Sequence, residues 1–189
     1  MIHQQKPMRL FIVFFIINIF LSACQEVATP TKQADKPNIF FDLKGFFQKE
    51  KARLEKINSF KKVVSIDGES EEKTLAKLDL DNELSIFIAS DINRPAWSDK
   101  YKIDSTFTEN KQLKNLTYTA LDNSLKTKSL SIDFNKNKAS NIAIEKSTDN
   151  TIAQSKQSLT YDIDKGYTIQ SKQTLSLSTT KTIIVNVIF

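Results

Sequence analysis

The sequence predicts an α+β fold in which two helices pack on a curved antiparallel β-sheet, a meander, behind an N-terminal apolar leader. Three observations lead there. Apolar residues across 39–60 mostly recur three, four or seven positions apart, the period of one helical face. From Tyr101 onward they recur at every second position, with Lys, Ser, Thr, Asp and Gln between them. That alternation marks strands with one dry and one wet face. Turn-forming residues separate the runs.

The leader comes first in the chain. Residues 1–9 carry Lys6 and Arg9 and no acid, and positions 10–21 are apolar except for Asn18. A spanning helix needs about 20 apolar residues to cross some 30 Å of hydrocarbon. This run is shorter and has the length of the apolar region of a signal peptide. It ends in Leu21-Ser22-Ala23-Cys24: an aliphatic residue, two small residues and the chain's one cysteine. The basic start, the apolar run and this four-residue motif together resemble the lipobox of bacterial lipoprotein precursors, which the type II signal peptidase cuts. The resemblance covers residues 1–24 alone. It implies diacylglycerol on the sulfur of Cys24 and cleavage between Ala23 and Cys24. It also implies a new amino group on Cys24 that is open to acylation. Two or three acyl chains anchor stably where one binds reversibly, so the expected partner is a membrane, reached through lipid. Gln25 rather than Asp follows the cysteine. By the same resemblance, that favours the outer membrane of a bacterial envelope over retention at the inner one.

The resulting organisation is a signal peptide over 1–23, a lipidated cysteine and flexible tether over 24–36, and one α+β ectodomain over 37–189. The tether is polar and contains Pro30. A dozen such residues span roughly 20 Å as a coil.

The first helix is expected to open at Pro37 or Asn38, since proline suits a first turn. Its apolar face is Ile39, Phe40, Leu43, Phe46, Phe47, Leu54, Ile57 and Phe60. A strand over 62–67 follows, with Val64 and Ile66 on one side. Asp67-Gly68 then signals a tight turn into a returning strand over 73–78. Asp81 reads as the N-cap of a second helix carrying Leu84, Phe87, Ile88 and Ile92, closed by Pro95. The period-two groups are Tyr101, Ile103 and Phe107; Leu116, Tyr118 and Ala120; Leu130, Ile132 and Phe134; Leu159, Tyr161 and Ile163; and Leu175 with Leu177. Turns are expected at Asp122-Asn123, Asn135-Lys136-Asn137, Asp149-Asn150 and Asp164-Lys165-Gly166. The last strand, 182–189, is apolar on both faces and is not expected to be a bare edge.

Composition narrows the chemistry. The chain has 189 residues, 26% of them charged, and a formal net charge of +5 that falls to +3 without Lys6 and Arg9. Its lysines alternate with acids and small polar residues, so no basic patch marks a nucleic-acid partner. The one histidine is His3, inside the leader. The remaining chain therefore lacks imidazole, and its one thiol is assigned to lipid. Ser-His-Asp and Cys-His catalysis and zinc sites built on His or Cys are excluded. With three glycines, no phosphate-cradling glycine-rich loop is available. No enzyme activity, cofactor or metal is expected, although a Ser-Lys dyad or a carboxylate pair stays formally open. Asp79, Asp81 and Glu83 lack the glycine and terminal glutamate of a calcium loop and read as helix-capping residues.

Two stretches carry candidate binding residues. Asp91, Asn93, Arg94 and Trp97 lie together before the first period-two strand. They read either as a partner-binding patch, Trp and Arg being the types enriched at interface hot spots, or as a helix-to-strand corner. The phenylalanines Phe40, Phe41, Phe46 and Phe47 read either as core or as the wall of a cavity for an acyl chain. The expected function is a membrane-anchored, non-enzymatic envelope lipoprotein with a structural, interaction or accessory role. The alternative is a carrier or sensor of a hydrophobic ligand, by analogy with the half-open sheet of lipoprotein carriers.

Overall fold

The computed structural model describes residues 39–175 and 179–189, and among these described residues it has two short α-helices and nine strands. These residues belong to one compact unit, Pro37–Phe189. In chain order the elements are α1 (Leu43–Leu54), β1 (Phe60–Ile66), β2 (Glu69–Leu75), α2 (Leu80–Ile88), a 3-10 turn (Pro95–Trp97), β3 (Tyr101–Phe107), β4 (Leu113–Ala120), β5 (Thr127–Asn135), β6 (Lys138–Asp149), β7 (Ala153–Asp162), β8 (Gly166–Leu175) and β9 (Lys181–Ile188). All nine strands form one open antiparallel sheet in the order β2-β1-β9-β8-β7-β6-β5-β4-β3. The strands β3 to β9 follow one another as a meander. The early β1–β2 hairpin joins it by pairing β1 with the last strand, from Lys61 opposite Ile188 to Ile66 opposite Ile183.

Turn chemistry sets several registers. Asp67 (φ 50°) and Gly68 (φ 96°) both take positive φ between the paired residues Ile66 and Glu69, a two-residue turn that matches strand twist. Lys136 (φ 48°) and Asn137 (φ 62°) do the same between Asn135 and Lys138. The β7–β8 turn is held by Asp162, whose Oδ1 accepts from the backbone N–H groups of Asp164 and Lys165. The strand that the sequence places last is indeed no edge: β9 is paired on both sides. The true edges are β2 and β3. The former carries Glu69, Glu71, Glu72 and Lys73 on exposed backbone, charges that discourage pairing with another chain.

Several expected boundaries are corrected. Helix α1 starts at Leu43, because Asp42 caps it by accepting from Gly45 N–H at 2.9 Å. It stops at Leu54, and Phe60 begins β1 instead of ending a helix. The returning strand is Glu69–Leu75, fixed by the two-residue turn, and not 73–78. Asp79, not Asp81, is the N-cap of α2, accepting from Asn82 N–H at 3.3 Å. Helix α2 ends at Ile88, well before Pro95, and Ile92 is buried in the following loop. Ile103 and Phe107 share the register phase of Tyr101 but are 52% and 59% exposed, because β3 lies at the sheet edge. Strand β8 lies at Gly166–Leu175 and buries Tyr167 and Ser171, whereas the alternation in the sequence marks Leu175 and Leu177; Leu175 is exposed at the strand's end. Leu177 falls outside the described residues. Strand β6, with Ile142 and Ile144 at its buried positions, was bracketed by the expected turns but not itself recognised.

One core takes side chains from both helices and from every strand except β2. Phe47 of α1 and Phe87 of α2 meet at a ring distance of 4.9 Å, and Phe47 stands edge-on to Tyr161 of β7 at 5.1 Å. Phe87 lies 5.7 Å from Tyr167 of β8, which stacks on its cross-strand neighbour Tyr161. Each of these two tyrosines is tied to one helix. The Tyr161 hydroxyl donates to Glu50 of α1 at 2.7 Å, and Arg53 donates to the same carboxylate and to the carbonyl of Ile163. The Tyr167 hydroxyl donates to Glu83 of α2, which also pairs with Lys62 of β1. A buried carboxylate without such partners costs several kcal/mol; here a phenol and a cation satisfy each one.

Candidate functional site

The segment after α2 brings together four of the residues singled out in the sequence. Asn93 acts as a clip: its Oδ1 accepts from Phe40 N–H at 2.9 Å and its Nδ2 donates to Phe41 O at 2.9 Å. One amide thereby satisfies both main-chain groups of an extended segment 53 and 52 residues away in sequence. Asp91 holds the clip in place, its Oδ1 accepting from both the backbone N–H and the Nδ2 of Asn93 at 3.1 Å. Asp91 and Asn93 thus serve the corner. Arg94 and Trp97 are differently placed. Arg94 is exposed, and its guanidinium lies over the Trp97 ring at 4.4 Å. Trp97 is half-buried, with one side against the core near Tyr101. The stacked pair presents a flat cationic and aromatic surface on a rigid support.

Ala23 and Cys24 lie outside the described residues. The remaining carboxylates of interest are engaged elsewhere: Asp79 caps α2, Asp81 pairs with Lys51, and Glu83 binds Tyr167 and Lys62. Among the described residues no group of three His, Cys, Asp or Glu side chains is arranged to hold a metal. No helix among them is long and apolar enough to cross a membrane.

Phe40, Phe47 and Phe87 are buried and packed ring against ring or tyrosine. Three cavities open among the described residues, and none of the three uses these phenylalanines as a wall. The largest of the three, about 700 Å³, lies at the β6–β7 hairpin beside Asn150, Gln154 and Leu175. A second, about 440 Å³, lies over Asn141, Thr160, Thr168 and Asn186, where four strands cross side by side. The third, about 210 Å³, is lined by Lys126, Lys146, Ser147, Thr148, Ser155 and Gln157.

This third cavity was not anticipated, yet the sequence carries a signal for it. Ile142, Ile144 and Lys146 alternate along β6 and so share one face. The apolar phase of the strand therefore continues into a lysine. Burial, and then the neighbouring Lys126 charge, pull the Lys146 ammonium below the usual lysine range. No protein-family model, no curated protein sequence and no solved structure matches this chain.

Proposed function

We propose that this chain is the precursor of a bacterial lipoprotein, anchored through Cys24 at the outer membrane, whose ectodomain binds a partner in the envelope and catalyses no reaction. The motif Leu21-Ser22-Ala23-Cys24, placed directly after a basic start and an apolar run of signal-peptide length, carries the reading. The aromatic contacts of Phe47 and Phe87 with Tyr161 and Tyr167 support a body of two helices on one face of a curved sheet. The packing of Phe47 on Phe87, and of Phe40, Phe47 and Phe87 against tyrosines, favours a partner-binding ectodomain over a carrier with an acyl-chain cavity at those rings. Arg94 and Trp97 are the best-placed contacts for that partner, since neither side chain is used up by the corner that Asp91 and Asn93 hold.

The anchor is tested by mass spectrometry of the mature N-terminus and by incorporation of alkyne-tagged palmitate. Acylated Cys24 at the N-terminus, label lost in Cys24→Ser, and sedimentation with outer membranes are expected. A free thiol at Cys24, or residues 1–23 still attached, overturns the reading. The partner surface is tested by cross-linking on membranes, with Arg94→Ala plus Trp97→Ala losing a species that Ile152→Ser retains.

A further inference from the structure

We infer that the Lys126–Lys146 cavity is a binding site for a phosphate group. On the core-facing side of β6 and β7, Ile144 and Leu159 are the last fully buried pair before the chemistry changes. Lys146 then stands opposite Gln157, and Thr148 opposite Ser155. Lys126 closes the cavity from the segment before β5, held there by Ser147 N–H donating to its carbonyl at 2.9 Å. The walls carry two cations, three hydroxyls and one side-chain amide, and no carboxylate. Neither lysine has an ion-pair partner among the described residues; every acid given an ion pair there is paired with another cation.

Two ammonium groups drawn together without an acid raise the free energy of the fold, and burial of Lys146 adds to the cost. A bound oxyanion reverses both contributions. The cavity, about 210 Å³ and open to solvent, has room for one tetrahedral oxyanion with a few waters. Lysine acts on phosphate as a flexible point charge, and the hydroxyls and the Gln157 amide supply the directed donors. The phosphate can come from solution or from a lipid headgroup, and the two sources are separable by experiment.

The full chain, in nonionic detergent, is titrated calorimetrically with inorganic phosphate, with chloride holding ionic strength constant. A second arm titrates mixed micelles of detergent with phosphatidic acid, against micelles with phosphatidylcholine. Saturable phosphate binding is expected, weakened at least about tenfold by Lys146→Gln, the loss of one charge-assisted contact. Lys126→Gln plus Lys146→Gln abolishes it, while Lys146→Arg and the turn variant Lys136→Gln retain it. Tighter binding of phosphatidic acid than of phosphate assigns the site to a headgroup, and equal or weaker binding assigns it to the free anion. Folding of the glutamine variants is checked by their melting temperature without phosphate, expected at or above that of the unsubstituted chain. The inference is overturned if neither probe binds, if chloride reproduces the response, or if the double glutamine variant binds as tightly as the unsubstituted chain.

Discussion

Gly166 begins β8 at φ 134°, and a Cβ built there would lie 1.9 Å from the Val187 carbonyl oxygen on β9. Both the backbone conformation and the close approach of the neighbouring strand require glycine. Gly166→Ala is therefore expected to destabilise by about 2–4 kcal/mol, combining a strained φ with a displaced strand. Urea unfolding measures it; a loss below that of an ordinary surface substitution would show that β9 gives way freely. Tyr161 makes a different prediction. Removing its hydroxyl leaves the buried Glu50 with Arg53 as its remaining side-chain partner. Tyr161→Phe is expected to cost about 1–3 kcal/mol. Glu50→Gln in the Tyr161→Phe background should cost less than Glu50→Gln alone, because the two groups share one hydrogen bond. Additive losses in that double-mutant cycle would mean that the contact contributes nothing.

Among the elements, α2 separates two carboxylates that look alike in the sequence. Asp79 accepts from Asn82 N–H, whereas Asp81 sits in the first turn and pairs at the surface with Lys51. A lost N-cap costs about 1 kcal/mol, and an exposed ion pair is worth less than that. Asp79→Ala should therefore lower stability more than Asp81→Ala in matched thermal melts, and the reverse order would move the helix start by a residue or two. The corner after α2 follows the same logic. Asn93 satisfies the main chain on both sides of the Phe40–Phe41 peptide. It joins the entry to α1 to the exit from α2, leaving Arg94 exposed over the outer side of a Trp97 ring that packs inward on the core.

For the whole molecule, all four tyrosines are shifted in the same direction. Burial pushes Tyr101 up to about 12, and burial also raises Tyr118, Tyr161 and Tyr167, the last two with added repulsion from Glu50 and Glu83. In the unfolded chain these phenols ionise near pH 10. Above that pH the unfolded state holds fewer protons than the folded one, so stability falls as pH rises. The contribution is fully present below pH 10 and, for Tyr101, is lost across about pH 10 to 12. Tyr101 alone steepens the fall by up to about 1.4 kcal/mol per pH unit in that window. Tyr101→Phe should flatten the urea-unfolding profile between pH 10 and 11.5 relative to the unsubstituted chain, with lysine titration common to both. Parallel profiles would show that this phenol ionises as readily folded as unfolded.

Local chemistry written along the chain was enough for the class of elements, the dry and wet faces of Leu130–Ile132 and Leu159–Tyr161, and the tight turns at Asp67-Gly68 and Lys136-Asn137; the motif at Cys24, also local, carries the proposed anchor and lies outside the described residues. These follow from period, φ preference and motif, which depend on neighbours a few positions apart. The pairing of β1 with β9 depends on residues more than a hundred positions apart, and no local pattern encodes it. The same holds for the buried partners of Glu50 and Glu83, for the clip that Asn93 forms with Phe40 and Phe41, and for the meeting of Lys126 with Lys146. A lysine on the apolar phase of β6 was visible in the sequence, but only folding shows that a second lysine, and no carboxylate, stands beside it. Coulomb and desolvation energies depend on distance in space, so the tertiary structure alone decides them.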